Sequence, residues 1–281
     1  MFRITLIILL GLPVSSWAQT APATEIGKVD VSEWEVSIAS GYGFLENPIV
    51  GKPDGETYFL PSFSYYGERF FVSNLTLGYS LLEEKNFYLD LIARPNEDGL
   101  YYNLDNDTAA TAAVSNFAVK LEEPGVAETE RKNSVLGGPS FTLVTRFVDV
   151  SFSWLEDISD VHHGSETHLS FDKQFSLAGG AFGFGIGAIK KDMELVRYYY
   201  QFTPAEAGIY HRRYAVLFPA DDAIDQYARI HFSYPLSKYL DLRLTARYNQ
   251  FDLAGRNPLF IENRETLDWF AGLQYRIGSN R

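Results

Sequence analysis

Beyond residue 18 no stretch is long and apolar enough to cross a bilayer as a helix, yet apolar and polar residues alternate along much of the chain. Leu240–Asn249 shows the pattern best. Leu240, Leu242, Leu244, Ala246 and Tyr248 fall on one face; Asp241, Arg243, Thr245, Arg247 and Asn249 fall on the other. A period of two with charges on one side is a strand with one wet face. The same alternation recurs from Trp34 to Ile277. Ala228, Ile230 and Phe232 oppose Arg229 and His231, and Trp269, Ala271, Leu273, Tyr275 and Ile277 oppose Asp268, Gln274 and Arg276.

Such strands suit a soluble sandwich, with the apolar face buried, or a membrane barrel, with that face turned to lipid. Three features favour the barrel. Tyr, Trp and Phe recur near strand ends, as interfacial girdles require. The strands run about 9–11 residues, the length of a tilted membrane strand. Connections alternate short and long, as periplasmic turns and external loops do. The long ones are residues 45–55, 95–133, 157–164, 191–225 and 250–266. If 69–82 were one strand the count would be odd. Splitting it into Arg69–Ser73 and Leu75–Leu82 predicts an antiparallel up-and-down barrel of twelve strands, with ten as the alternative, since single-chain bacterial barrels have even counts.

The N-terminus reads as a signal peptide over 1–18. Met1–Arg3 is positive, Ile4–Val14 is apolar, and Ser16 and Ala18 precede a cleavage site before Gln19. Residues 19–32 form a polar periplasmic segment, and the barrel occupies 33–281. Composition removes other classes. With no cysteine there is neither a disulfide scaffold nor a thiolate metal site. A net charge of −12 without a basic run excludes ordinary nucleic-acid binding. Gly272, Tyr275 and Ile277 fit the closing-strand signal that barrel assembly machinery reads, with Ile277 in place of a terminal aromatic.

Several stretches resemble the MipA/OmpV family of outer-membrane proteins. They are Asn47-Pro48, Pro61 with Tyr65–Phe71, Leu77-Gly78-Tyr79, and Tyr198–Ala207 followed by Tyr210. The most specific is Thr203-Pro204-Ala205-Glu206-Ala207; Gln201 stands where the family pattern has glycine. The resemblance implies a non-enzymatic outer-membrane barrel. It also implies partners that process murein: a lytic murein transglycosylase and a murein synthase, which the barrel would scaffold. Other members are described as porin-like, so a small-solute channel with access controlled by external loops is the alternative.

The motif also has a physical reading. Thr203 can cap a helix, Pro204 suits its first position, and Glu206 completes a capping box, which predicts a helical turn inside loop 191–225. That loop is expected to fold over the barrel mouth. Tyr101, Tyr102 and Tyr198–Tyr200 are expected to give the external loops an aromatic binding surface. Inward charges form the other candidate set. Arg229, His231, Arg243, Arg247, Asp268 and Arg276 would share one wall, with Asp90, Arg94, Asp149 and Asp172 elsewhere around the lumen. They would set ion preference or pair with one another to fill a narrow barrel. Glu156, Asp157, Asp160, His162, His163 and Glu166 mix carboxylate with imidazole but lack a metal-ligand spacing, and read as a solvated loop. No nucleophile motif accompanies His168 or His231, and neither a cofactor nor a metal is expected.

Overall fold

A computed structural model describes residues 33–104, 129–207 and 216–279. The expected signal peptide, 1–18, and the segment 19–32 lie outside the described residues. The strands are β1 (Glu33–Leu45), β2 (Gly55–Tyr66), β3 (Phe70–Ser73), β4 (Thr76–Glu84), β5 (Phe87–Pro95), β6 (Val135–Leu143), β7 (Asp149–Asp157), β8 (Ser165–Leu177), β9 (Gly180–Lys191), β10 (Ala223–Pro235), β11 (Leu240–Gln250) and β12 (Glu265–Ser279). Each pairs antiparallel with its neighbours in sequence, and β12 returns to β1, closing a twelve-stranded barrel. No helix among the described residues is long and apolar enough to cross a membrane.

The alternation maps onto the two faces of the wall. Phe59, Leu77, Phe152, Ile186, Leu244 and Ile277 stand exposed on the outside, while Ser37, Thr76, Ser153, Ser170, Asp241 and Asp268 are buried inside. A girdle of exposed large apolar side chains around the whole wall exceeds what a soluble monomer carries and calls for lipid. Covering each Leu or Phe there contributes about 1.5–3 kcal/mol. The sandwich alternative is therefore removed by closure and by the outward apolar face together.

The split at 69–74 is real and has a local cause. Asn74 adopts a left-handed conformation (φ 53°), which asparagine tolerates better than most residues. Its N–H donates to the Phe63 carbonyl at 2.7 Å, and its Oδ1 accepts from Ser62 Oγ at 2.9 Å. This turn stops β3 after four residues and docks it on β2. At the periplasmic end, β8 and β9 are joined by Ala178 and Gly179 at φ 52° and 84°. Two consecutive positive φ values give the tight turn whose twist suits a hairpin. The closing seam is unusually close. A Cβ on Gly41 of β1 would lie 2.1 Å from the Ala271 carbonyl oxygen of β12, so only glycine fits there.

The principal apolar core lies outside the strands, at the end with the long connections. It joins α1 (Asp98–Tyr102), α2 (Met193–Tyr200), α3 (Pro204–Ala207) and the segments around Ile49 and Phe260. Outer-membrane barrels hold their long loops externally, so this core is an external cap.

Candidate functional site

The cap is built from the residues upward. Asp192 caps α2 by accepting from Leu195 N at 3.0 Å, and its other oxygen accepts from Ser165 N at 2.7 Å, which anchors the helix to β8. Leu195, Val196, Tyr199 and Tyr200 are fully buried against Tyr101, Tyr102, Phe251 and Phe260. The Tyr102 hydroxyl donates to the Tyr199 carbonyl. These tyrosines form the interior of the cap rather than an exposed binding surface. An amphipathic ring with a hydrogen-bonded hydroxyl is more stable buried than solvated, and that corrects the expectation for them.

Thr203–Ala207 forms the expected turn. Thr203 N–H donates to Glu206 Oε2 at 2.8 Å and Glu206 N–H donates to Thr203 Oγ1 at 3.3 Å, a reciprocal capping box. Pro204 and Ala205 fill its first positions. Glu206 also receives Arg131, whose Nη2 donates to the Gln201 carbonyl at 2.9 Å. The motif thus joins two long loops at a buried guanidinium. Burial works against the Glu206 carboxylate, but Arg131 and the Thr203 N–H together hold its pKa below the ordinary value.

Beneath the apolar layer lies an ionic one. Asp98 accepts from Lys191 Nζ at 2.6 Å and from the Tyr200 hydroxyl at 2.5 Å. Lys191 also meets Asp225 at 3.0 Å. Arg256 donates to both Asp225 oxygens, at 2.6 and 2.7 Å, and stacks on the Tyr200 ring at 4.4 Å. A two-pronged guanidinium–carboxylate pair fixes orientation as well as charge. Burial raises the pKa of Asp98 despite Lys191 beside it. Glu97 behaves oppositely: burial opposes its charge, but Arg247 and Arg94 hold its pKa below the ordinary value.

The inward charges occupy the lumen below. Asp90, Arg94, Asp149, Asp172, Arg229, His231 and Arg247 line a cavity of about 410 Å³. Arg243 and Arg276 line a second of about 260 Å³ nearer the short turns. Several are paired. Arg229 meets Asp172 at 2.7 Å, Arg276 meets Asp241 at 2.5 Å, and Arg94 reaches Glu166 at 3.3 Å. Asp268 is buried and accepts from Asn249 Nδ2 at 2.8 Å. It shares a register position with Arg247, but Arg247 turns to Glu97 at 3.2 Å. At the seam Gly272 faces Gly41, while Tyr275 and Ile277 stand exposed on the outer surface.

The mixed carboxylate–imidazole group is dispersed. Asp157 accepts from the backbone of Val161, His162 and His163 and from Ser159, which winds the loop around one carboxylate. Glu166 points inward to Arg94 and His168. No group of metal-binding side chains occurs among the described residues. Ser134, His162 and Asp157 come together in the order of a hydrolase triad, with Ser134 Oγ 3.0 Å from His162 Nε2 and Asp157 4.0 Å from Nδ1. The chemistry is wrong. His162 Nδ1 accepts the Gly164 N–H at 2.9 Å, so the ring proton sits on Nε2 and points at Ser134, the reverse of what a general base needs. Ser134 is fully buried and also receives the Tyr199 hydroxyl at 3.2 Å.

A family model described as MltA-interacting protein MipA matches residues 38–277, nearly the whole described barrel. The chain belongs to the MipA family. A relative named "Putative outer membrane protein YiaT" in Escherichia coli K12 is 23% identical over 245 residues, covering 86% of this chain and 91% of the relative. Among solved structures, Acinetobacter baumannii OccAB2 is similar at 7% identity and a TM-score of 0.35, over 92% of this chain and 67% of that one. Pseudomonas aeruginosa OprG is similar at 8% identity and a TM-score of 0.20, over 88% and 96%. Scores this low carry no further argument. The closed barrel with an apolar outer face fits the outer membrane.

Sequence reasoning missed the cap's ionic layer: Glu97, Asp98, Lys191, Asp225 and Arg256. Each sits at a strand end or in a loop, where no periodicity distinguishes an inward charge from a solvated one. A weak signal was present in the adjacent Asn96-Glu97-Asp98 run, which Gly99-Leu100 separates from Tyr101-Tyr102.

Proposed function

We propose that this MipA-family barrel is a non-enzymatic scaffold or interaction protein for murein-processing enzymes, acting from the periplasmic face of the outer membrane. The supporting observation is the external cap. Its apolar core and the Asp98–Lys191–Asp225–Arg256 layer gather the described parts of the long loops at the outer mouth. A barrel with so much packed at its mouth is a poor general pore, and the family's name records an interaction with another protein. A lytic murein transglycosylase is the first expected partner and a murein synthase the second; barrel assembly machinery would act only during biogenesis. Export would follow cleavage after Ala18, leaving Gln19 as the N-terminus of the mature protein.

The test is capture of the transglycosylase by the detergent-purified barrel. Substitutions in turns 85–86, 144–148 and 236–239 should weaken capture, and deletion of 203–207 should not. Capture lost on the external deletion and kept in all turn variants would sink the reading. A second reading, a small-solute channel opened by movement of the cap, is favoured by the polar lumen of about 410 Å³. Stable conductance steps from the unmodified protein in a planar bilayer would support it over the first.

A further inference from the structure

One stretch of the outer wall is recessed. On the lipid-facing side of β8 to β11 lies a cleft of about 360 Å³. Small side chains make it. Ala188 on β9 and Ala228 on β10 are outward positions on adjacent strands, one step apart in the ladder, where Ala188 pairs with Gln226 and Ala228 with Ile186. Phe171 and Ile186 wall the cleft on the β8–β9 side and Tyr248 on the β11 side, all three exposed on the outer surface.

Gln226 and Gln250 border the cleft at its external edge, near the start of β10 and at the end of β11. They lie directly across the β10–β11 ladder, so their side chains are neighbours. Gln226 stands within the apolar band. On the same face of β10 the exposed Ile224 lies on its external side and Ala228 on its inner side. A carboxamide turned to hydrocarbon is costly without hydrogen bonds. Each carries two N–H donors and a carbonyl acceptor, and two side by side satisfy one another only in part. The charged level comes next outward. Lys190, across from Ile224, meets Asp222 at 2.8 Å with both side chains about half-exposed. From the external rim inward the wall therefore runs charge, carboxamide pair, apolar recess. That is the order of headgroup, linkage and chain in a lipid.

The kind of linkage separates the lipids that could lie there. An ester brings only acceptors to the glutamine pair. A secondary amide brings an N–H and a carbonyl, and so meets both kinds of group that the carboxamides offer. Glycolipids of the outer leaflet carry amide-linked chains on glucosamine, whereas glycerophospholipid chains are esters. We propose that this cleft docks an amide-linked acyl chain of an outer-leaflet glycolipid, with the linkage amide at Gln226 and Gln250 and the first methylenes over Ala188 and Ala228. The proposal depends on the barrel's place in the outer membrane and not on the scaffold reading, because lipid retention is read without any partner enzyme.

Native mass spectrometry of the purified barrel in detergent reads lipid occupancy directly. N-hexadecanoyl-glucosamine and 2-O-hexadecanoyl-glucose differ only by an amide in place of an ester. The amide should bind about tenfold tighter, the worth of one or two net hydrogen bonds. Lipid A, which has amide-linked chains, should likewise displace dipalmitoyl phosphatidylethanolamine. Ala228→Phe fills the recess from the lipid side and should abolish retention of both sugars. Replacing both glutamines, Gln226→Leu with Gln250→Leu, should erase the preference for the amide. Equal affinity for the two sugars, or retention of neither, overturns the proposal. So does phosphatidylethanolamine held as tightly as lipid A, which would make the cleft a phospholipid site, and so does wild-type retention by a folded Ala228→Phe barrel. If a variant fails to fold, the amide–ester comparison on the unmodified barrel decides alone.

Discussion

Arg131 grips Glu206 with both ends of its guanidinium: Nη1 lies 2.5 Å from Oε1 and Nη2 lies 3.1 Å from Oε2. The residues are 75 apart in the chain and belong to different external loops. The same arginine holds the Tyr198 and Gln201 carbonyls, so one side chain ties the end of α2 to the capping box of α3. Arg131→Ala removes hydrogen bonds to a charged group worth about 2 kcal/mol. Amide hydrogen exchange across Tyr198–Ala207 should accelerate ~30-fold, while strand amides keep their protection. Unchanged exchange in that segment would show that the motif is ordered without Arg131.

The ionic layer predicts how the mouth opens. Arg256 is fully buried, and its loss leaves Asp225 and Asp98 sharing Lys191 alone. Breaking a buried pair costs about 3–5 kcal/mol, more than the packing of one short helix supplies. In planar bilayers Arg256→Ala should produce conductance steps that the unmodified protein lacks. A silent variant with a native barrel would show that the apolar layer closes the mouth unaided.

Acid should loosen the cap in a defined window. Glu97 and Glu206 both have lowered pKa values in the folded protein, each with burial outweighed by arginine. Such a group stabilises the fold fully above its unfolded value, about 4.3 for glutamate, and the contribution is lost as pH falls through the folded value. Asp98 acts in the other sense, since burial raises its pKa and the folded cap favours its protonated form. Exchange protection of the cap should therefore hold from pH 7 to pH 5 and collapse below about pH 4. Collapse already at pH 6 would mean that another group controls closure.

The glycine seam predicts a folding defect rather than a functional one. Gly41→Ala would place its Cβ 2.1 Å from the Ala271 carbonyl oxygen and 2.5 Å from the Gly272 Cα. Both are backbone atoms, so β1 and β12 must separate. The variant should lose the heat-modifiable mobility of a closed barrel on a gel run without boiling. Wild-type mobility would show that the seam yields at little cost.

Much of this molecule was legible along the chain. Alternation is a local property, so Leu240–Asn249 alone declares a strand with Arg243 and Arg247 on its wet face. Loop lengths then order the strands, and the parity of an up-and-down barrel demands the break that Asn74 makes. Thr203 and Glu206 announce their turn because a capping box spans only four residues. The tertiary structure alone decided which loop residues meet over the mouth. Tyr200 meets Asp98 across 102 positions and Arg247 meets Glu97 across 150. Those contacts depend on which loops the closed ring brings over its own opening. A loop has no period, so a buried tyrosine and a solvated one look alike in sequence until the barrel sets their neighbours.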